Sequence, residues 1–264
     1  MCFQSPIFFK ETDPVLHRYL RFFVGLLLVQ GSMAQVIDAG QLDVGKFMFK
    51  CSVKLCLHDA TTASACVLYH RFFQQCSLQE YDSYTVAATA LYLATKVEEQ
   101  HTRLRDIVNV CHHTRHPDLK HLELNRHFWD LRDTIASCEL LMLRVLQFDV
   151  TYIHPHKYML HYLMSLSQLF SRRVWETHPV ADVAWAILKD SYLSSNCLDP
   201  SPQVYALAVI DLALQCCRLE VPMSRKAENA WWKALYDQCT HNDLVEVQNN
   251  LVAVYKMNTT ISGK

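Results

Sequence analysis

Along most of the chain, apolar residues recur at intervals of three and four more often than two, the spacing of helices that bury one face. That period predicts helices over Gly45–Cys56, Thr61–Gln74, Ser83–Glu98, Thr102–His112 and Phe128–Leu146. The run breaks at "FDVTYIHPHKY", where Pro155 marks a turn, and the same spacing resumes over His156–Ser167, Val180–Ser194, Pro202–Arg218, Ala230–Cys239 and Asn242–Met257. Only five glycines and eight prolines stand in 264 residues, which leaves few positions for tight hairpins. The pattern predicts an all-α protein with two tandem five-helix domains.

A faint internal match supports the duplication. "AATALYLATK" (Ala87–Lys96) lies over "ALAVIDLALQ" (Ala206–Gln215) without a gap. Each segment is rich in alanine and apolar nearly all round, as a helix enclosed by other helices must be. The copies differ at their ends. Lys96 falls opposite Gln215, and the Glu98-Glu99 pair that follows Lys96 has no counterpart. The first copy therefore carries charge that the architecture alone does not demand.

A second irregularity lies in "RDTIASCELLMLRVLQFDV" (Arg132–Val150), where Ile135, Glu139, Met142, Leu143 and Leu146 share one helix face. A carboxylate inside an apolar stripe needs a cation or N–H donors, because burying it unpaired costs several kcal/mol. Lys96 is the natural cation. Two readings stay open on spacing alone: an internal Lys96–Glu139 pair that satisfies itself, or a pair at a surface that reaches the backbone of a partner.

Composition narrows the function classes. The chain is 51% hydrophobic, enough for a substantial core, and 25 basic against 26 acidic residues give a net charge of −1. Neither a nucleic-acid footprint nor a membrane-surface patch is evident in that balance. Eleven cysteines show no CxxC pair and two are adjacent, Cys216 and Cys217, which fits reduced thiols of a nuclear or cytosolic protein better than a disulfide framework. "CHHTRHP" (Cys111–Pro117) gathers potential metal ligands, but His116 precedes a proline and no second cluster accompanies it, so a solvated loop is expected. The histidines of "HPHKYMLH" have no nucleophile at a suitable spacing, and no glycine-rich phosphate loop occurs. Trp175, Trp185, Trp231 and Trp232 are expected to pack between helices. Near the start, Phe22–Val29 is an apolar run of eight residues, followed by Gly31, Ser32 and Ala34. It is far shorter than the roughly 20 residues that span a bilayer. It could pass for the core of a secretory signal, but the stretch before it is long for such a leader, so residues 1–43 are expected to form an extension ahead of the repeats.

"LYLATKVEE", followed some forty residues later by "CELLMLRVLQFDV", resembles the cyclin box. The resemblance covers 44–152 as a first, kinase-binding box and 153–259 as a second, leaving 260–264 as a tail. It implies a regulatory subunit, without catalysis or cofactor, that forms a heterodimer with a cyclin-dependent kinase. The segments "YHRFF", "KVEEQHTRLRDIVNV" and "HPHKYMLHYLMSL" are most similar to the family member that pairs with cyclin-dependent kinase 10. By this resemblance Lys96 and Glu139 hold main-chain groups beside the kinase αC helix, and Leu93, Val97, Leu143, Phe148 and Val150 form its apolar seat. Members that dock substrates do so through an "MRxIL"-type patch on the first box helix. Here the region reads "GKFMFKCSVKLCLHD", so that docking mode is not expected. The rival within the same fold is a transcription-factor-IIB-like adaptor, which needs a basic DNA-facing stripe that this charge balance does not supply.

Overall fold

In a computed structural model, residues 39–119, 122–223 and 230–262 are described. The extension expected over residues 1–43 therefore lies outside the described residues as far as residue 38. Five helices come first: α1 Ala39–Lys54, α2 Asp59–Gln75, α3 Ser83–Val97, α4 Leu104–Arg115 and α5 Arg126–Val145. Six follow: α6 His156–Ser167, α7 Arg172–Thr177, α8 Val180–Ser191, α9 Pro202–Cys217, α10 Trp231–Leu235 and α11 His241–Ser262, with a 3-10 turn at Ser195–Leu198. There is no strand among the described residues. The fold is all-α, as the period predicts, and none of these helices is long and apolar enough to cross a membrane.

Contacts divide the chain into two compact units. The first runs to Tyr152 and includes Tyr192–Cys197, and the second takes Ile153–Ser191 and the chain from Leu198 onward. In the first unit α3 is the central helix, packed against α1, α2, α4 and α5. Ala87, Ala90, Leu91 and Ala94 are fully buried, and small side chains are what allow so many neighbours to approach one axis. In the second unit α9 has that role against α6, α8 and α11, with Ala206, Ala208 and Ala213 fully buried. The two segments that match in sequence are thus the two central helices.

The helix starts follow capping chemistry. The Asp82 carboxylate accepts from Thr85 N at 3.0 Å ahead of α3, and the Asn125 side chain accepts from Phe128 N at 3.2 Å ahead of α5. Thr240 and Asp243 cap α11 reciprocally, at 2.9 and 3.3 Å. That device explains a departure from expectation. A helix expected over Ala230–Cys239 ends at Leu235, because Tyr236 turns to extended backbone and leaves Thr240 free to start the next helix. Two other differences are local. α4 continues to Arg115, so Cys111 and His112 belong to a helix, with Cys111 buried, and the expected loop begins only at His116. α7 is a six-residue helix that apolar periodicity does not reveal, and it is too short to carry a repeat of 3.6.

Three polar anchors tie separate segments together. His70 Nε2 donates to the Tyr192 carbonyl at 2.9 Å, and the Tyr152 hydroxyl donates to the Cys197 carbonyl at 3.1 Å, which holds Tyr192–Cys197 to the first unit. Burial draws His70 down to about 4, against a smaller upward pull from its bond to Tyr192, so the ring stays neutral at physiological pH. In the second unit the Tyr255 hydroxyl of α11 donates to the fully buried Asp190 carboxylate of α8 at 2.9 Å.

Candidate functional site

α3 is apolar until its last turn, where Lys96 emerges, and α5 carries Glu139 on the face that also buries Ile135 and Met142. The two meet. Lys96 Nζ donates to both Glu139 oxygens, at 2.6 and 2.8 Å. The partners differ in exposure: the Lys96 side chain is 47% exposed and that of Glu139 12%. Lys96 Nζ also lies 4.2 Å from the centre of the Tyr92 ring, one turn earlier on α3. Burial works to lower the Lys96 ammonium, but the hydrogen bonds and charge of Glu139, with Tyr92, outweigh it and hold the group above its ordinary value. Lys96 is therefore a committed cation at the rim, held by a carboxylate beneath it.

The end of α5 and the turn after it expose apolar residues. After α5 the chain makes a tight turn in which Gln147 and Phe148 both take left-handed backbone, with φ of 52° and 61°. Phe148 N closes the turn by donating to the Leu143 carbonyl at 2.8 Å. A phenylalanine in this region is strained, and its ring is left 69% exposed. Val97, Leu143 and Val150 are half-buried, whereas Leu93 lies under the surface at 4% exposure. Leu140, one residue beyond Glu139, is 59% exposed.

Spacing did not single out two residues of this region. Arg71 of α2 donates to the Asp149 and Thr151 carbonyls at 3.2 and 3.4 Å, and it lies over the Tyr152 ring, which fixes the segment that carries Val150. Its signal was only its membership of "YHRFF". Leu140 was the other, since an exposed leucine on the polar flank of a helix is an ordinary surface residue in sequence.

The remaining candidates resolve separately. Among the described residues no group of three or more His, Cys, Asp or Glu side chains is placed to hold a metal ion. Each of the ten described cysteines is free, and burial pushes the Cys217 and Cys239 thiols up to about 11, which leaves them protonated. Trp185 packs against the His156 ring, Trp175 against Phe170, and Trp231 against Trp232, all half-buried.

Comparison with known proteins bears on the fold. Residues 41–151 match the family described as "Cyclin, N-terminal domain". Cyclin pch1 of Schizosaccharomyces pombe is 31% identical over 212 residues, covering 80% of this chain and 59% of that protein. Cyclin-K of Homo sapiens is 24% identical over 212 residues, covering 80% of this chain and 35% of that protein. The chain thus spans between about a third and three fifths of the length of these relatives. Among solved structures, a chain of the yeast RNA Pol II CTD kinase CTDK-1 complex superposes with a TM-score of 0.65 at 20% identity, covering 96% of this chain and 74% of that one. A chain of the yeast TFIIK (Kin28/Ccl1/Tfb3) complex superposes at 0.55 and 16% identity, covering 95% of this chain and 98% of that one. Residues 41–151 thus form a cyclin N-terminal domain, and about four fifths of the chain is similar to known cyclins.

Proposed function

We propose that the chain is the regulatory subunit of a cyclin-dependent kinase, and that it docks on the kinase αC helix through Lys96, Glu139 and the apolar surface beside them. The observation that carries this reading is the half-exposed Lys96 ammonium held by a buried Glu139 carboxylate, in the same unit as a strained, exposed Phe148. Lys96 and Glu139 hydrogen-bond main-chain groups that flank αC, while Val97, Leu143, Phe148 and Val150 form the seat and Leu93 supports it from below. Leu140 extends the same surface. Similarity to cyclin pch1 and cyclin-K, and to chains of two kinase complexes, supports this class of partner.

The chain performs no chemistry of its own in this reading. Docking on αC brings the kinase glutamate toward its β3 lysine, completes the pair that positions the ATP phosphates, and shifts the kinase toward its active conformation. The segments "FWDLRDTIASCELLMLRVL" and "HPHKYMLHYLMSL" resemble cyclin Q, and on that resemblance cyclin-dependent kinase 10 is the proposed partner and the nucleus a compartment where the pair works.

The test mixes the chain with cyclin-dependent kinase 10 and reads co-purification and phosphorylation of a peptide substrate, for the wild type and for Lys96→Ala with Glu139→Ala. Two charged hydrogen-bonding groups at about 1.5–3 kcal/mol each predict a loss of affinity of at least a hundred-fold in the folded double variant. Binding by the wild type to another cyclin-dependent kinase but not this one would move the partner assignment. Binding to none would remove the regulatory-subunit reading.

A further inference from the structure

Away from the Lys96–Glu139 pair, the first unit contains a cavity of about 220 Å³. Its floor is apolar, built from Phe47 of α1, Ala88 of α3, Val108 of α4 and Ile135 of α5. Its mouth is lined by His112, His116 and His127, with the His112 ring 5.3 Å from that of His116 and 5.9 Å from that of His127. None of these three imidazoles makes a hydrogen bond among the described residues. Three ring systems able to carry like charge have been brought together without a counter-ion.

No carboxylate lies within ion-pair distance of these three imidazoles among the described residues. Asp82, ahead of α3, is already paired with Arg115 at 3.1 Å, and the Arg115 guanidinium lies 4.4 Å from the Tyr84 ring centre. Lys54 of α1 is bonded to Thr114, His113 stands next to His112 on α4, and Arg126 and Asp130 flank His127 along α5. Burial lowers the affinity of His112 for a proton, and the nearby His116, His127 and His113 lower it further, so an added anion would relieve a repulsion that the fold leaves standing. The three imidazoles are not placed to share one metal ion.

We propose that this cavity binds a small apolar acid, an aromatic or aliphatic group carrying a carboxylate or a phosphate. The acid group sits among His112, His116 and His127, and the hydrocarbon covers Phe47, Val108 and Ile135. Such a ligand suits the site on both counts. Its apolar part gains from leaving water for the floor, and its charge meets donors that have no other partner. The proposal stands independently of the kinase reading, since none of its residues belongs to the αC seat.

The test uses the full chain with 13C-labelled histidine rings, titrated with phenyl phosphate at one neutral pH. The His112, His116 and His127 signals should move together and saturably as the ligand is added. Inorganic phosphate and phenol, each carrying half of the ligand, should bind more weakly than phenyl phosphate. His116→Gln and His127→Gln are exposed changes that leave the fold intact by thermal melting and should each weaken binding. Leu131→Trp, which fills the cavity from α5, should abolish it without altering kinase binding. Signals that respond to zinc but not to phenyl phosphate would overturn the proposal in favour of a metal site. Signals unmoved by phenyl phosphate or phenylacetate would overturn it outright.

Discussion

Glu139 shows why the two members of one ion pair are not equivalent. Removing Lys96 leaves a carboxylate that is 12% exposed without its cation, whereas removing Glu139 leaves an ammonium that is 47% exposed and turns to water. Lys96→Ala is therefore expected to destabilise the chain by about 1–3 kcal/mol, and Glu139→Ala by less, in urea denaturation. The order would reverse if the pair served only to neutralise Lys96. Phe148 makes the complementary case. Glycine adopts its left-handed backbone without strain, so Phe148→Gly should leave stability unchanged or raise it by up to about 1 kcal/mol, while kinase affinity falls. Equal losses of stability and affinity would instead assign the ring a packing role. His70 sets a pH dependence. Its folded value of about 4 lies below the ordinary 6.5, so the unfolded chain binds more protons between them. The stabilisation is complete above pH 6.5 and is lost as pH falls toward 4, a gap worth about 3 kcal/mol at 1.36 kcal/mol per unit. Urea midpoints of wild type and His70→Phe should diverge in slope across that window, with the variant flatter.

Among the elements, α3 and α9 were the most legible, because an enclosed helix has to be apolar on every side and the alanines that admit its neighbours are visible in sequence. α10 and α7 were the least legible. Their lengths of five and six residues are decided by caps, Thr240 with Asp243 for the end of the α10 region and Ser171 for the start of α7. α11 depends on a contact that no local pattern announces, the Tyr255–Asp190 bond across to α8. Tyr255→Phe keeps the ring and removes the donor from a buried carboxylate, so it should cost about 1–3 kcal/mol, read as a lower urea midpoint of the full chain. A midpoint equal to that of the wild type would show that Asp190 is satisfied by its other contacts.

At the scale of the molecule, the chain order and the spatial grouping disagree in one place. Tyr192–Cys197 follows α8 in sequence yet belongs to the first unit through His70 and Tyr152. A fragment ending at Tyr152 would keep both donors and lose both acceptors. Such a fragment, residues 39–152, should melt at lower temperature and less cooperatively in calorimetry than the first transition of the full chain. A matching melt would mean that the segment is not needed. The sequence by itself determined the helical class, the duplicated plan and the chemical need of Glu139 for a cation, since periodicity and the cost of burying charge are local properties of residue type. Only the tertiary structure decided that Lys96 meets Glu139, that Arg71 holds the Asp149–Thr151 segment, and that three histidines of α4, the loop after it and α5 line one cavity. The longest of these pairings joins residues 80 positions apart. Distances of that kind are set by how helices pack, and packing depends on the whole set of buried surfaces rather than on any one stretch of chain.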